Sequence, residues 1–455
     1  MKTAQQDMTT GSPARIILGF TLPIFIGNVF QQFYNMADTI IVGKFVGTKA
    51  LAAVGSTGTI MFLIYGFVVG MTAGFTVLTA QKFGAGDMPA MRRTVAGASI
   101  LSLLVGLILT AAFMLLMKPW LQLMHTPSDI FADAYAYIMI ISAGILAQML
   151  YNLLASILRA LGNSRVPLYF LILSALLNIV LDLVFIIVFH MGAAGAAVAT
   201  VISQGVSGVL CLLYIIKKVP MLHMTREDWH PSGALLKTQI GIGIPMALQY
   251  SITAIGTMMV QSALNILGST LVAAFTAASK IEQVVTQAYV ALGTTIATFG
   301  AQNMGAGNVP RIRQGFKVST IIGIIYSFLA AALIMTVGKY MTYLFVSEDA
   351  GLLIRSVDIY LKCVGAFFIP LTIVNVYRNG IQGLGYGLLP MMAGVAELVG
   401  RGVAAVIAAG QKSYVGVCLA SPAAWVLAAA LLIGMYYYIV KVDLRRIFSG
   451  KPRKE

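Results

Sequence analysis

Charge is scarce in this chain. Only 10% of its 455 residues are Asp, Glu, Lys or Arg, against about a quarter in an average soluble protein. That shortage excludes a water-facing surface of ordinary size. Cysteine is scarcer still. Cys211, Cys363 and Cys418 all lie in apolar segments, which excludes a disulfide framework. Four histidines and three scattered cysteines give no metal-ligand spacing, and no nucleophile-plus-base arrangement stands out. No GxxxxGK[ST] occurs, so the chain does not power itself with ATP. Enzymatic chemistry and a bound cofactor are both unexpected. The polar start, MKTAQQDMTTGSPAR, precedes an apolar run too long for a signal-peptide h-region.

What is abundant is apolar sequence. Hydrophobic residues make up 59% of the chain, mean hydropathy is +0.89, and apolar runs of about 20 residues recur throughout. The fold class is an all-α polytopic membrane protein. Twelve spans are expected, at 16–43, 50–77, 94–117, 133–157, 166–189, 193–216, 239–265, 271–299, 317–338, 354–377, 388–410 and 414–440. In a soluble chain the net charge of +15 would suggest nucleic acid. Here 21 Lys+Arg fall on the N-terminus, the even-numbered loops and the tail, and six on the opposite side. That bias places both termini in the cytoplasm and points to the lipid bilayer, not nucleic acid, as the partner of the charge.

The chain also repeats itself. AQKFGAGDMPAMRR at 80–93 returns at 301–314 as AQNMGAGNVPRIRQ, seven identities in fourteen. At nearly the same shift Pro23 meets Pro245, and Leu161-Gly162 meets Leu384-Gly385. The expected organisation is an N-lobe at 1–216, a cytoplasmic linker at 217–238, a C-lobe at 239–440 and a basic cytoplasmic tail at 441–455. Each lobe is a homologous six-helix bundle, and six being even, both insert in the same orientation. Two like-oriented bundles suit alternating access with a substrate path between them.

Ionisable groups at membrane depth are costly and therefore mark function. Glu397 and Arg401, spaced i,i+4, read as a structural ion pair. Glu282 in span 8 is a possible C-lobe site, and Lys280, two residues away, points to another face. Asp38 and Asp182 differ, having no basic residue one turn away. Counting from the span ends at about 1.5 Å per residue puts both in the outer half at similar height. Asn178 lies one turn from Asp182, and Thr200 on span 6 reaches a similar level. Two carboxylates, an amide and a hydroxyl suit a small hard cation such as Na⁺. They equally suit a shared proton, because two like charges do not both persist in low dielectric. Gln31, Tyr34 and Asn35 share the Asp38 face of span 1, and span 4 offers Gln148, Tyr151 and Asn152. These six are the candidate substrate-cavity residues. Pro23, fifteen residues before Asp38, is a candidate helix-bending point.

The N-x-A-D-x-x-x-V-G-x-x-x-G run of Asn35–Gly47, the AQxxGAG turn and the LRALGNSRVP / IQGLGYGLLP pair resemble the multidrug and toxic compound extrusion (MATE) transporters. The resemblance covers nearly the whole chain. It implies a V-shaped two-lobe fold in a prokaryotic cell membrane, and a monomer. It implies export of cationic, amphipathic small molecules in exchange for inward Na⁺ or H⁺. Within the family the chain is similar to the branch with an N-lobe cation site, whose Asp, Asn-Asp pair and Thr fall on Asp38, Asn178, Asp182 and Thr200, with Pro23 as the bending proline and Gln31 as a cavity residue. The other bacterial branch places acids on the seventh and tenth helices. Here span 7 has none, and mid-span 10 offers Thr372 and Asn375. A lipid-linked oligosaccharide flippase of the same superfamily is the alternative, weakened by the few basic residues at depth.

Overall fold

The computed structural model describes residues 6–124, 126–341 and 351–444, so most of the expected basic tail (445–455) lies outside the described residues. Every regular element among the described residues is helical. In chain order they are α1 (Pro13–Phe45), α2 (Thr48–Ser56), α3 (Gly58–Gly84), α4 (Met88–Leu123), α5 (Phe131–Ala143), α6 (Ile145–Ala160), α7 (Arg165–Leu183) and α8 (Gly192–Lys218). They continue as α9 (Gly233–Asn265), α10 (Ser269–Gly305), α11 (Val309–Thr336), α12 (Gly338–Met341), α13 (Gly351–Gly365), α14 (Phe368–Gly383), α15 (Leu388–Gly410) and α16 (Tyr414–Tyr438).

Among the described residues ten helices are long and apolar enough to cross a membrane, and two bent pairs, each taken as one span, bring the total to twelve. The bends were not legible in the apolar pattern. α5 and α6 meet at 46°, and α13 and α14 at 50°. The first break falls at Gly144, where a Cβ would run 2.8 Å from a methyl of Val201 on α8. On α4, Leu107, Ile108 and Leu115 are exposed, as lipid-facing positions must be when hydrocarbon replaces water.

The repeat is built from matching caps. After α3 the chain turns at Gly86 (φ +72°) and after α10 at Gly307 (φ +68°), a left-handed conformation that favours glycine. Asp87 then accepts from the Ala90 N–H at 3.1 Å, and Asn308 from the Arg311 N–H at 3.1 Å. Both are N-caps with a proline in the following first turn. The Asp87/Asn308 difference inside the repeat is therefore a conservative exchange of cap.

The chain divides into two compact units. The first contains Ile26–Tyr250, and the second contains Met8–Phe25 together with the chain from Ser251 onward. The division thus falls inside α1 and α9 and not only at the linker. In the first unit, α3 and the early part of α9 approach at backbone distance. A Cβ at Gly74 would sit 2.5 Å from the Gly243 Cα, and one at Gly70 2.7 Å from the Ala247 Cα. Gln239 of α9 anchors this seam, donating to the carbonyls of Phe75 at 2.9 Å and Thr94 at 2.8 Å. In the second unit the segment before α1 is clamped. Met8 is buried, its N–H donates to Gln302 at 3.0 Å, and Arg311 donates to the carbonyls of Met8, Thr10 and Gly11 at 3.0, 2.8 and 2.8 Å.

The linker is tied to the first unit by Asp228. Its Oδ2 accepts from the Thr225 backbone N–H, the Thr225 hydroxyl and Arg92 Nε, each at 2.9 Å. Chiefly the backbone N–H of Thr225, then the Arg92 guanidinium and the Thr225 hydroxyl, hold this carboxyl below the usual carboxylate range.

Two outcomes follow from this packing. Gly74→Ala is expected to lower the melting temperature of the detergent-solubilised protein, at a cost of about 1–3 kcal/mol. Gly241→Ala, where a Cβ meets nothing within 4 Å, is expected to leave it unchanged. Because the folded-state carboxyl of Asp228 titrates below its unfolded value, its contribution is present above pH ~4 and fades as pH falls further. The stability advantage of wild type over Asp228→Asn, measured as a pH series of unfolding midpoints, should shrink below that pH.

Candidate functional site

The first unit brings together six polar residues from four helices. Asn178 and Asp182 lie one turn apart on α7, and both are buried, at 1% and 0% exposure. Asn178 Nδ2 donates to Thr200 Oγ1 on α8 at 3.2 Å. Tyr34 Oη of α1 lies 3.5 Å from the same hydroxyl. Asp38, one turn beyond Tyr34, is close enough to Asp182 for the two carboxyls to interact electrostatically. Tyr137 of α5, buried, stands near Asp38, Tyr34 and Asp182.

The polar inventory of this cluster is lopsided. Asp38 Oδ1, Asn178 Oδ1 and both oxygens of Asp182 are buried with no hydrogen-bond partner. A buried carboxylate oxygen without a donor forfeits its hydration with nothing in return. Four such acceptors in one place call for positive charge, either a proton shared between the carboxyls or a hard cation among the oxygens. The residues present fit both. Among the described residues no three His, Cys, Asp or Glu side chains gather as a metal site. A cation here therefore relies on amide and hydroxyl oxygens as well as the two acids.

Local structure supports this placement. Immediately after Asp182, α7 passes into a π-helical turn at Val184–Val188. Such a turn re-aims side chains by leaving the regular hydrogen-bond ladder. No sequence signal announced it, and Tyr137 was likewise hidden in a span read only for its hydropathy.

The six expected cavity residues separate into two groups. Gln31 and Tyr34 are partly exposed and Asn35 is exposed. Gln31 Nε2 donates to Tyr65 Oη of α3 at 2.8 Å. Gln148, Tyr151 and Asn152 are buried within the first unit. There Asn152 Nδ2 donates to the Gln148 carbonyl at 2.8 Å, and the Tyr151 hydroxyl to the Pro167 carbonyl at 3.1 Å. Pro23 is buried within α1, which runs as one helix through it.

The second unit holds a different charge arrangement. Glu397 accepts from Arg401 Nη2 at 2.6 Å and also from Arg378 Nη2 at 2.5 Å. Arg378, on α14, was missed because position alone assigned it to a cytoplasmic end. Gly256 of α9 leaves room for Arg401, since a Cβ there would lie 2.8 Å from its Nη1. Glu282 accepts from the Tyr360 hydroxyl. Lys280 is exposed, while Lys362 pairs with Asp358 at 2.6 Å.

The family model described as MatE matches residues 23–184 and 242–407. A protein of Bacillus subtilis named "Probable multidrug resistance protein YpnP" is 34% identical over 378 residues, covering 82% of this chain and 83% of that one. A "FAD transporter" of Shewanella oneidensis is 25% identical, covering 85% of each. Among solved structures, the "Crystal structure of MATE in complex with MaL6" superposes with a TM-score of 0.91 at 24% identity, covering 98% of this chain and 100% of that one. This last likeness concerns the fold.

Thr200 is the one hydroxyl that Asn178 and Tyr34 both address. Thr200→Val should strand the Asn178 donor and cost about 1–3 kcal/mol, read as a lower melting temperature. Thr200→Ser should restore most of it.

Proposed function

The chain belongs to the multidrug and toxic compound extrusion (MatE) family, whose members are transporters and not enzymes, and from that premise we propose that it is a secondary active multidrug antiporter. It exports amphipathic, cationic small molecules in exchange for Na⁺ or H⁺, by alternating access, from the membrane of a prokaryotic cell, as a monomer. The single observation that carries this reading is the set of unpartnered buried oxygens on Asp38, Asn178 and Asp182.

The coupling follows from electrostatics. With neither proton nor cation present, two carboxylates face each other in low dielectric and repel. Binding either one removes the repulsion and favours a tighter arrangement of α1 against α7 and α8. Release on the other side of the membrane reverses it. Ion and drug then exchange because each is bound best by one arrangement. Gln31, Tyr34 and Asn35 stand on the Asp38 face of α1 and are the residues through which drug occupancy and cation occupancy influence one another. Gln148, Tyr151 and Asn152 complete the wall behind them. Pro23 supplies the weak point at which α1 bends. Glu282, held by Tyr360, is a second titratable position, and Glu397 with Arg401 is structural. The curated relatives carry names for moving small molecules, and none of those quoted favours an oligosaccharide flippase.

Asp38→Asn and Asp182→Asn are each expected to reduce resistance in a drug-hypersensitive strain to the level of the empty vector, at wild-type abundance in the membrane. Full resistance from either well-expressed variant would sink the assigned role. Reconstituted protein given a Na⁺ gradient and a pH gradient separately identifies the coupling ion as the one that drives substrate movement.

A further inference from the structure

A second ionic feature of the first unit lies apart from the oxygen cluster. Arg159 is in the last turn of α6. A long side chain on a helix runs back over the preceding turn, and Arg159 Nη2 donates to Ser156 Oγ at 3.0 Å. The guanidinium carries five N–H donors and keeps its charge in any protein setting, yet this is the one hydrogen bond that its side chain makes among the described residues. None of the ion pairs among them involves it. Its electrostatic neighbours are Tyr65 of α3, Tyr151, Tyr250 of α9 and Cys211 of α8, with no carboxylate in the set.

The hydroxyls around it are not equivalent. Tyr151 spends its O–H on the Pro167 carbonyl. Tyr65 instead accepts from Gln31, so its own O–H remains to donate. Beyond the bond to Ser156, the partly exposed guanidinium, like the phenol O–H, presents donors that meet no acceptor among the described residues. An unpaired cation among packed helices is costly unless an anion completes it, and planar guanidinium recognises oxyanions in particular.

We propose that Arg159 and Tyr65 form an oxyanion subsite that takes a carboxylate or phosphate carried by an amphiphilic substrate. The proposal rests on the efflux reading and adds a second recognition charge, of opposite sign to the Asp38–Asp182 cluster. Gln31, which touches Tyr65, lies seven residues from Asp38 on α1, or ~10 Å along the helix. A drug-sized zwitterion spans that distance, with its cationic end toward Asp38 and its anionic end at Arg159.

The test uses one rhodamine dye in two forms, the free carboxylic acid and its ethyl ester, with binding to purified full-length protein followed by fluorescence polarisation. Wild type is expected to bind the acid more tightly than the ester. Arg159→Gln is expected to lose about tenfold or more in affinity for the acid while binding the ester as before. Arg159→Lys, which keeps the charge but not the fork, should fall between. If Arg159→Gln binds both forms as wild type does, or loses both equally, the subsite is overturned and Arg159 serves only the end of α6. A wild type that binds the ester but not the acid also overturns it and leaves the efflux reading standing. A wild type that binds neither overturns both for this class of cargo. A lipid phosphate at the same subsite is recognised differently: phospholipid survives delipidation on wild type, is stripped from Arg159→Gln in native mass spectra, and competes with the acid form of the dye.

Discussion

Everything distinctive about the first unit depends on one constraint: buried oxygens need positive charge. Asp182 is shielded completely, and neither of its oxygens has a donor. Other buried polar groups that lack a partner, such as Ser102, Ser319 and the amide oxygens of Gln204 and Gln239, are neutral or are single atoms of arginine side chains held elsewhere, whereas here two carboxyls stand together. Buried threonines such as Thr72 donate to a carbonyl one turn back, and Gln239 spans two helices with its amide nitrogen. The Asp38–Asp182 neighbourhood departs from that practice. Its internal hydrogen bonds converge on Thr200, and the one from Asn178 Nδ2 leaves Asn178 Oδ1 in the unpartnered set. On the proposed reading, what completes the cluster is a cation or proton that arrives and leaves.

The two halves share a chain plan but not an electrostatic one. The same glycine turn and N-cap recur at matching positions of the repeat, Gly86-Asp87 and Gly307-Asn308. Yet Asp38 and Asp182 of the first unit form no ion pair among the described residues, while Glu397 in the second is gripped by two arginines. A carboxylate held by Arg378 and Arg401 is a poor place for a travelling cation, since binding there means displacing two guanidinium groups. Backbone geometry was inherited by both halves. The ion chemistry was not.

How much of this was readable in the residues divides along a physical line. Depth was readable, because helical rise is constant and span ends are marked by Lys44 and His190. Counting from them placed Asp38, Asn178, Asp182 and Thr200 at one level, and the side chains of Asn178 and Thr200 do meet. Direction was not readable. Nothing in Tyr151 or Asn152 announced that the first would bond the Pro167 carbonyl of α7 and the second the Gln148 carbonyl of its own helix. The π turn after Asp182 and the break at Gly144 involve no residue that hydropathy distinguishes from its neighbours. Arg159 and Arg378 were counted as ends of helices because sequence position gives the height of the Cα alone, whereas an arginine head lies several ångströms from it.

The proposed function puts most of its demands on α1. Its early part belongs to the second unit, where Thr21 donates to Thr295 at 2.8 Å and Arg311 clamps the chain just ahead of it. Its later part belongs to the first unit, where Tyr34 reaches Thr200 and Gln31 reaches Tyr65. Between these anchors sits Pro23, which has no N–H for the Gly19 carbonyl, so the helix lacks one rung of its ladder there. A helix fixed at both ends and weakened between them yields at the weak point when one end is pulled. α9 is built likewise, with Pro245 shortly before the chain passes from one unit to the other. In the proposed cycle, charge neutralised at Asp38 acts on Asp182 through side chains, and the backbone of α1 is the route by which it reaches Pro23.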